Sequence, residues 1–395
     1  MTILGIETSC DETALALIET KGSIESGDLE CRIIDSLINS QAELHSAYGG
    51  VYPSLAKREH GKNLIPLLEK ILGALPASKK EAILDFSFAD TLDTFRADVG
   101  SQNKELFECM EHAEFLKNIP AIDRIAVTEG PGLEPALWVG INFAKILGTL
   151  WNIPVIPINH MEGHIIGSLL ESDAPKGKWQ KLKGLPLPAL ALLISGGHTE
   201  LVKIDGIGNY TILGQTKDDA VGEAFDKTAR LLGLPYPGGP QVSKLATEAR
   251  DSNIQLHVKL PRPMMNSGDV DFSFSGLKTA VLYAVRDLEK TGGLNELAKK
   301  GICREFEESV ADVLDSKLRK AMDSIQARSI IIGGGVSANV FLRQRFETTT
   351  KEYGIPLFMP SRHISGDNAL MIALAGMFHD DVVTKPLKAQ GTKRL

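Results

Sequence analysis

Ala189-Leu190-Ala191-Leu192-Leu193-Ile194-Ser195-Gly196-Gly197-His198-Thr199 decides the fold class of this chain. Six apolar residues in a row read as a buried strand, Gly196-Gly197-His198 turn it, and residues 199–204 return beside it. The same device opens the chain. Residues 3–9 are an apolar strand ending in acidic and hydroxyl side chains, Cys10-Asp11-Glu12 turn it, and residues 13–19 return. Outward from each hairpin, strands alternate with helices. After the first come a strand at 33–39, a mostly helical 41–72, a buried strand at 122–128, a helix at 135–151, a strand at 153–158 and a helix near 161–171. After the second come a strand at 329–332, a Gly-rich turn, a helix at 338–353, a strand at 355–359 and a helix at 366–379. Alternation of this kind predicts an α/β architecture, and the two similar openings predict a duplicated fold.

The expected organisation is a first α/β lobe over 1–175, a second over 186–365 carrying the glycine loops, a C-terminal helix over 366–380 and a tail over 381–395. A Lys-, Gly- and Pro-rich linker at 172–188 joins the lobes. Two stretches break the rhythm. Residues 77–118 are an acidic, aromatic and weakly helical insertion. Residues 234–273, with Pro235, Pro237-Gly238-Gly239-Pro240 and Pro261-Arg262-Pro263, read as a long, partly irregular excursion over a site.

Composition sets limits. With 395 residues, 43% hydrophobic, the chain is long enough for two buried domains. No apolar run approaches the roughly 20 residues of a membrane helix. The N-terminus moves from Met1-Thr2 straight into a strand, without a basic or Arg-rich leader, so neither secretion nor organelle import is signalled. Cys10, Cys31, Cys109 and Cys303 stand far apart, which disfavours a disulfide framework or a thiolate zinc site and fits a reducing cytosol. A formal net charge of −7 argues against a nonspecific nucleic-acid coat protein.

The sharpest local feature is Asn159-His160-Met161-Glu162-Gly163-His164. Histidines at i and i+4 share one helical face and can hold one metal ion. An isolated pair is more often two surface histidines, but this one follows a buried strand directly, where open α/β sheets place ligands. A zincin protease needs H-E-x-x-H; here Met161 occupies the glutamate's place, which disfavours that chemistry. Asp367, at the start of the last helix, is the candidate third ligand, although an aspartate there is ordinarily an N-cap. Two imidazoles and a carboxylate suit iron or zinc and leave positions for substrate oxygens.

Ile194-Ser195-Gly196-Gly197-His198-Thr199 is a phosphate-loop candidate, with Ser195 and Thr199 as hydroxyl donors, and Gly333-Gly334-Gly335-Val336-Ser337-Ala338-Asn339 a second one between a strand and a helix. Each also reads as an ordinary turn. Neither is a dinucleotide fingerprint or a P-loop. Asp11 and Glu12, in the first hairpin turn, are candidate acid/base or metal-water groups; solvated turn residues are the ordinary reading. The stretch 218–227 opens a helix with acidic residues favourable to its dipole, and Asp226, two turns along, is a candidate partner for a ribose or substrate hydroxyl.

Nine stretches together resemble the TsaD family of tRNA threonylcarbamoyladenosine synthases, within the actin–Hsp70–sugar-kinase superfamily. They are GIETSCDET (5–13), GGVYPSLAKREH (49–60), EGPGL (129–133), NHMEGH (159–164), LISGGHTEL (193–201), GEAFDKTARLLGLPYPGGP (222–240), DFSFSGLKT (271–279), GGGVSAN (333–339) and SGDNALMIA (365–373). They stand in the family's order and cover nearly the whole chain outside 77–118. The resemblance implies a two-lobed fold with an interlobe cleft. It implies His160, His164 and Asp367 as ligands of one divalent metal, Fe(II) or Zn. It implies contacts of Leu193, Ile194, Ser195, Gly196, Gly197, Asp226, Gly239, Gly334 and Asn339 with a nucleotide or threonylcarbamoyl-AMP, and roles for Asp11 and Glu12 in activity. The implied reaction joins the threonylcarbamoyl group of threonylcarbamoyl-AMP to N6 of adenosine 37 in tRNAs reading ANN codons, releasing AMP. The implied partners are tRNA and, in a bacterial setting, a TsaB-like paralogue and a TsaE-like ATPase; a homodimer is the alternative assembly, and the cytoplasm the expected location. The insertion at 77–118 departs from the family and bears on partner geometry. Lys385, Lys388, Lys393 and Arg394 in the tail offer charges that could touch tRNA, a solvated end being the ordinary reading. The competing readings are a small-molecule kinase of the same superfold and a noncatalytic nucleotide-binding scaffold.

Overall fold

The computed structural model describes residues 1–22, 29–75, 81–82, 85–100, 103–170, 175–254, 259–290, 292–379 and 387–395. Two compact units divide the chain. The first comprises Met1–Leu44, Val51–Lys183 and Asp367–Leu395, the second His45–Gly50 and Gly184–Gly366. In chain order the elements are β1 (Thr2–Glu7), β2 (Glu12–Lys21), β3 (Glu30–Ser40), α1 (Ala42–Ser46), α2 (Pro53–Leu72), β4 (Glu81–Ala82), α3 (Asp85–Val99), α4 (Lys104–Glu111), β5 (Asn118–Ile119), β6 (Arg124–Gly130), α5 (Glu134–Trp151), β7 (Val155–Asn159), α6 (His160–Gly167) and β8 (Trp179–Lys181). There follow β9 (Ala189–Ile194), β10 (Thr199–Gly206), β11 (Asn209–Gln215), α7 (Val221–Leu231), α8 (Gly238–Asp251), α9 (Ser275–Lys290), α10 (Glu296–Ile325), β12 (Ser329–Gly333), α11 (Val340–Tyr353), β13 (Leu357–Phe358) and α12 (Ala369–Ala375).

The first unit's main sheet has the order β7-β6-β1-β2-β3-β8, and the second unit's sheet the order β11-β10-β9-β12-β13. In each, an antiparallel meander of three strands carries two parallel strands on the open side of its first strand. The shared order β3-β2-β1-β6-β7 and β11-β10-β9-β12-β13 is the duplication expected from the two hairpins. β1 and β9 are central in their sheets and buried at every residue, which is why both read as unbroken apolar runs.

Each unit has its own core. In the first, Leu4, Ile6, Leu15 and Leu17 of the sheet pack with Leu64 and Leu68 of α2 and Phe143 and Leu147 of α5. The insertion at 77–118 joins this core: Leu92, Leu106, Phe107, Met110 and Leu116 are buried in it. Its apolar residues recur at helical spacing on α4, which packs on α2, while α3 packs on α5, so the insertion does not stand apart. The second core centres on α10, a 30-residue helix that packs under β9 and β10 and contributes Phe306, Val310 and Leu314. Among the described residues, no helix is long and apolar enough to cross a membrane.

Several readings are corrected. The excursion at 234–273 contains α8, because prolines and glycines are tolerated at a helix start, where the N–H groups lack intrahelical partners. The last helix runs only from Ala369 to Ala375. The tail does not end as a solvated stretch: Gln390 N–H donates to Glu129 O at 2.8 Å, and Lys393 pairs with the Glu129 carboxylate. Lys385, Ser172 and the adjoining linker residues 173–174 lie outside the described residues, as do 76–80, 83–84 and 101–102 of the insertion.

Asp218 also differs from expectation. α7 begins only at Val221, and Asp218 instead holds the start of α9. Its carboxylate accepts from Phe274 N at 2.8 Å, Ser275 N at 3.2 Å, and the hydroxyls of Ser273 and Ser275, each at 2.6 Å. Burial pushes its pKa up, but these four donors prevail and hold it below the ordinary value. A depressed carboxylate pKa contributes stability above the unfolded value, and that contribution is lost as pH falls through the folded one. Asp218→Ala is therefore expected to cost about 1 kcal/mol in urea unfolding at pH 7. The difference from wild type should shrink in acid, and a constant difference from pH 7 to pH 3 would refute this account.

Candidate functional site

β7 ends at Asn159, whose side chain caps α6 by accepting from Met161 N at 2.9 Å and Glu162 N at 3.4 Å. The cap makes His160 the first residue of the helix and His164 its one-turn neighbour. α12 supplies the third group. Asn368, not Asp367, caps that helix by accepting from Met371 N at 3.0 Å, which leaves Asp367 to face the histidines. Asp367 Oδ1 lies 3.3 Å from His160 Nε2 and 3.2 Å from His164 Nε2. The candidate ligand atoms of the three residues all lie within 4.8 Å of one another. His160 and His164 meet edge to face with ring centroids 4.7 Å apart.

Two observations test whether this set fits a metal. His164 Nε2 is a buried ring nitrogen without a hydrogen bond, the condition of an atom awaiting a ligand. His160 is oriented from behind: its Nδ1 lies 3.0 Å from Glu7 Oε2, which leaves Nε2 turned to Asp367. Glu7 is itself fixed by Thr128 Oγ1 at 2.7 Å and by Ser9 N at 2.5 Å. A carboxylate–histidine pair behind a ligand nitrogen is the usual outer support of a metal site. The residues fit a divalent ion.

All three candidate ligands belong to the first unit. The C-terminal helix, expected as a segment apart from both lobes, belongs to this unit: α12 packs on its β1, β2, β6 and α6. Gly5 on β1 and Gly163 and Gly167 on α6 permit the approach. A Cβ at Gly5 would strike the Ala369 carbonyl, and one at Gly163 would lie 3.0 Å from Ile372 Cδ1.

The electrostatics favour a cation. Burial raises Glu12 to about 9, and the nearby carboxylates of Asp367 and Asp11 add to it. Burial likewise pushes the Cys10 thiol up, with Asp11 and Asp367 contributing. Glu7 and Asp367 are pushed up by burial too, yet His160 prevails and holds both below the ordinary range. Asp11 and Glu12 thus stand beside the His–His–Asp cluster; Asp11 is buried, and Glu12 accepts from Ser40 Oγ at 3.4 Å. Glu7→Gln is expected to weaken divalent-metal affinity by about 10–100-fold, since it removes the charge behind His160. Direct metal titration checks this, and unchanged affinity would remove Glu7 from the site.

The second unit holds a cavity of about 290 Å³, at the lower end of small-molecule sites. Of the nine residues named for nucleotide contact, Gly196, Asp226, Gly239 and Asn339 line it. The other five do not. Leu193 and Ile194 are fully buried core residues of β9. Ser195 organises the hairpin turn, accepting from His198 N at 3.1 Å, and Gly197 is exposed in that turn. Gly334, at φ 88°, packs against the Ile194 carbonyl with no room for a side chain.

Asp226 has a structural task as well, accepting from Gly238 N at 2.7 Å at the start of α8. Asn339 is fully oriented: its Oδ1 caps α11 through Leu342 N at 3.0 Å and its Nδ2 donates to buried Glu307 at 2.6 Å. Sequence reasoning missed Phe225, Ser243 and Arg362 in the lining. The first two lie on helix faces that only the packing of α7 and α8 turns inward, and no motif flagged Arg362.

A family model described as "tRNA N6-adenosine threonylcarbamoyltransferase", TsaD, matches residues 32–83 and 105–374. Curated relatives carrying that description include one from Burkholderia mallei (strain ATCC 23344), 40% identical over 379 residues, 95% of this chain and 91% of that protein. A Methylobacillus flagellatus relative is 40% identical over 376 residues, 95% of this chain and 92% of its own length. Among solved structures, full-length HypF in its phosphate- and nucleotide-bound form aligns at TM-score 0.49 and 12% identity, over 95% of this chain and 55% of HypF.

Proposed function

Because the chain belongs to the TsaD family of tRNA N6-adenosine threonylcarbamoyltransferases, we propose that its first unit holds the metal and its second unit the nucleotide of that reaction. The protein is a transferase acting on tRNA, and the family implies both a metal and a nucleotide. The threonylcarbamoyl group passes from threonylcarbamoyl-AMP to N6 of adenosine 37 in tRNAs reading ANN codons. The N6 amine attacks the carbamoyl carbon, a C–N bond forms, and the C–O bond to phosphate breaks with its electron pair leaving on AMP. The amine proton goes to a base.

The exocyclic amine is a weak nucleophile and AMP a good leaving group, so positioning and charge stabilisation outweigh proton transfer. Bound to His160, His164 and Asp367, a divalent ion, for which we propose Fe(II) over Zn, supplies Lewis-acid polarisation of carbonyl or phosphoryl oxygens. Asp226, Gly239 and Asn339 receive the nucleoside, while the amides near Gly196 and Gly335 face its phosphate. Leu193, Ile194, Ser195, Gly197 and Gly334 act by fixing the turns that present those amides. Asp11 is the group placed to take the amine proton, while Glu12, raised to about 9, is neutral at pH 7 and donates a hydrogen bond beside it. A TsaB-like paralogue and a TsaE-like ATPase, or a second copy of the chain, complete the assembly in the cytoplasm.

The observation that supports this reading most is the compact His160–His164–Asp367 cluster with Glu7 behind it. The test is transfer of labelled threonine to unmodified tRNA in the presence of ATP, threonylcarbamoyl-AMP synthase and the candidate partners. Label on adenosine 37 is expected. No label with any partner combination, from protein that binds both metal and nucleotide, would sink the proposal.

A further inference from the structure

We propose that residues 390–394 form a strap that positions the metal-binding helix α6, with Lys393 as its anchoring residue. This rests on the metal-site reading above. β6 and β7 run parallel, with Gly130 opposite Asn159 at their carboxyl ends, and the strap lies across both. Gln390 N donates to Glu129 O at 2.8 Å, Gly132 N donates to Gly391 O at 3.1 Å, and Gln390 Nε2 donates to Glu129 Oε2 at 3.3 Å. Lys393 ion-pairs with the nearly buried Glu129 carboxylate. Gly130, at φ 147°, meets the Gln390 carbonyl so closely that a Cβ there has no place.

Two routes lead from the strap to His160. The first is Asn159. Its Nδ2 donates to Arg394 O at 3.0 Å, while its Oδ1 caps α6. The amide has two distinct ends, so an acceptor on the nitrogen side decides that the oxygen faces the helix. Without Arg394 O, this largely buried NH2 loses its partner and the cap loses its fixed orientation. The second route is the turn after β6. Leu133 N donates to Ser9 O at 2.7 Å, and Ser9 Oγ lies 3.3 Å from His160 Nδ1. Tail, turn and cap thus converge on one imidazole, and none of these residues is itself a metal ligand.

The test titrates metal-free protein with Co(II) alone, recording affinity and the d–d absorption band, in wild type, Lys393→Ala, Lys393→Arg, His164→Ala and a chain lacking 387–395. AMP binding is measured in parallel as a readout of the second unit. Lys393→Ala is expected to weaken Co(II) binding by about ten-fold, the scale of an outer-support loss, and to shift the band, with Lys393→Arg restoring both and AMP binding unchanged. The truncated chain should show a larger effect in the same direction. If His164→Ala abolishes Co(II) binding while Lys393→Ala and the truncation leave affinity and band intact, the strap proposal is overturned and the metal site stands. If His164→Ala itself leaves binding intact, the metal-site reading fails and the strap's role fails with it. Parallel loss of AMP binding in Lys393→Ala would mark a general loosening and also overturn the proposal.

Discussion

His164→Ala should purify without its metal and transfer threonylcarbamoyl to tRNA roughly a thousand-fold more slowly, the rate equivalent of about 4 kcal/mol. The reasoning starts from burial. His164 Nε2 is enclosed, without a hydrogen bond, and 3.2 Å from Asp367 Oδ1. A buried polar nitrogen in that state costs stability unless something occupies its lone pair. Removing the imidazole relieves that cost, so the metal-free variant should melt no lower than metal-free wild type by more than the loss of a packed ring predicts. Metal content by elemental analysis and single-turnover transfer separate the two effects. Chelation of wild type should reproduce the slow rate, and re-addition of a divalent metal should restore it. A His164→Ala protein that keeps stoichiometric metal and full rate would contradict the assignment.

Gly5→Val should destabilise the first unit by about 3 kcal/mol or more, at the upper end of overpacking penalties. A Cβ at residue 5 meets the Ala369 carbonyl, and Ala373 N and Cβ at 2.9 Å, so backbone on both sides must move. β1 is central and fully buried, and cannot yield without breaking its pairing with β2 and β6. The displaced partner is therefore α12, and with it Asp367. Urea unfolding reads the stability, and metal titration reads the displacement. Normal metal affinity in a folded Gly5→Val protein would mean that Asp367 is placed by something other than this packing.

Much of this was legible in the residues. The unbroken apolar runs of β1 and β9 mark central strands because only strands covered on both faces can afford them, and the shared hairpin disclosed the duplication. The i, i+4 spacing of His160 and His164 follows from helix geometry alone. Asp367 was harder. Its position predicts a cap, and only the structure shows that Asn368 takes that task and releases the aspartate. The acidic run at 218–227 misled for a similar reason: Asp218 serves α9, more than fifty residues away, a partner no local pattern reveals. α9 and α10 were legible but not read: Leu277, Val281, Ala284 and Val285, and Ile302, Phe306, Val310, Leu314 and Leu318, recur at helical spacing. The loop residues divided according to direction. Leu193 and Ile194 sit in a strand whose side chains face the core, while Gly196, in the turn beyond, lines the cavity.

The first unit is discontinuous in the chain: its strands and α6 precede residue 184, while Asp367, α12 and the strap follow residue 366. During synthesis the ribosome therefore delivers His160 and His164 first, then the entire second unit, and only afterwards the carboxylate and the strap. The second unit can fold as it emerges, since its own segments are nearly contiguous, but the first must hold uncovered the sheet face of β1, β2 and β6 and the side of α6 until α12 arrives. Completion of the candidate His160–His164–Asp367 cluster accordingly waits on the segment beyond residue 366. A nascent chain arrested near residue 366 would have a folded second unit and would lack Asp367, the third group of the candidate metal site.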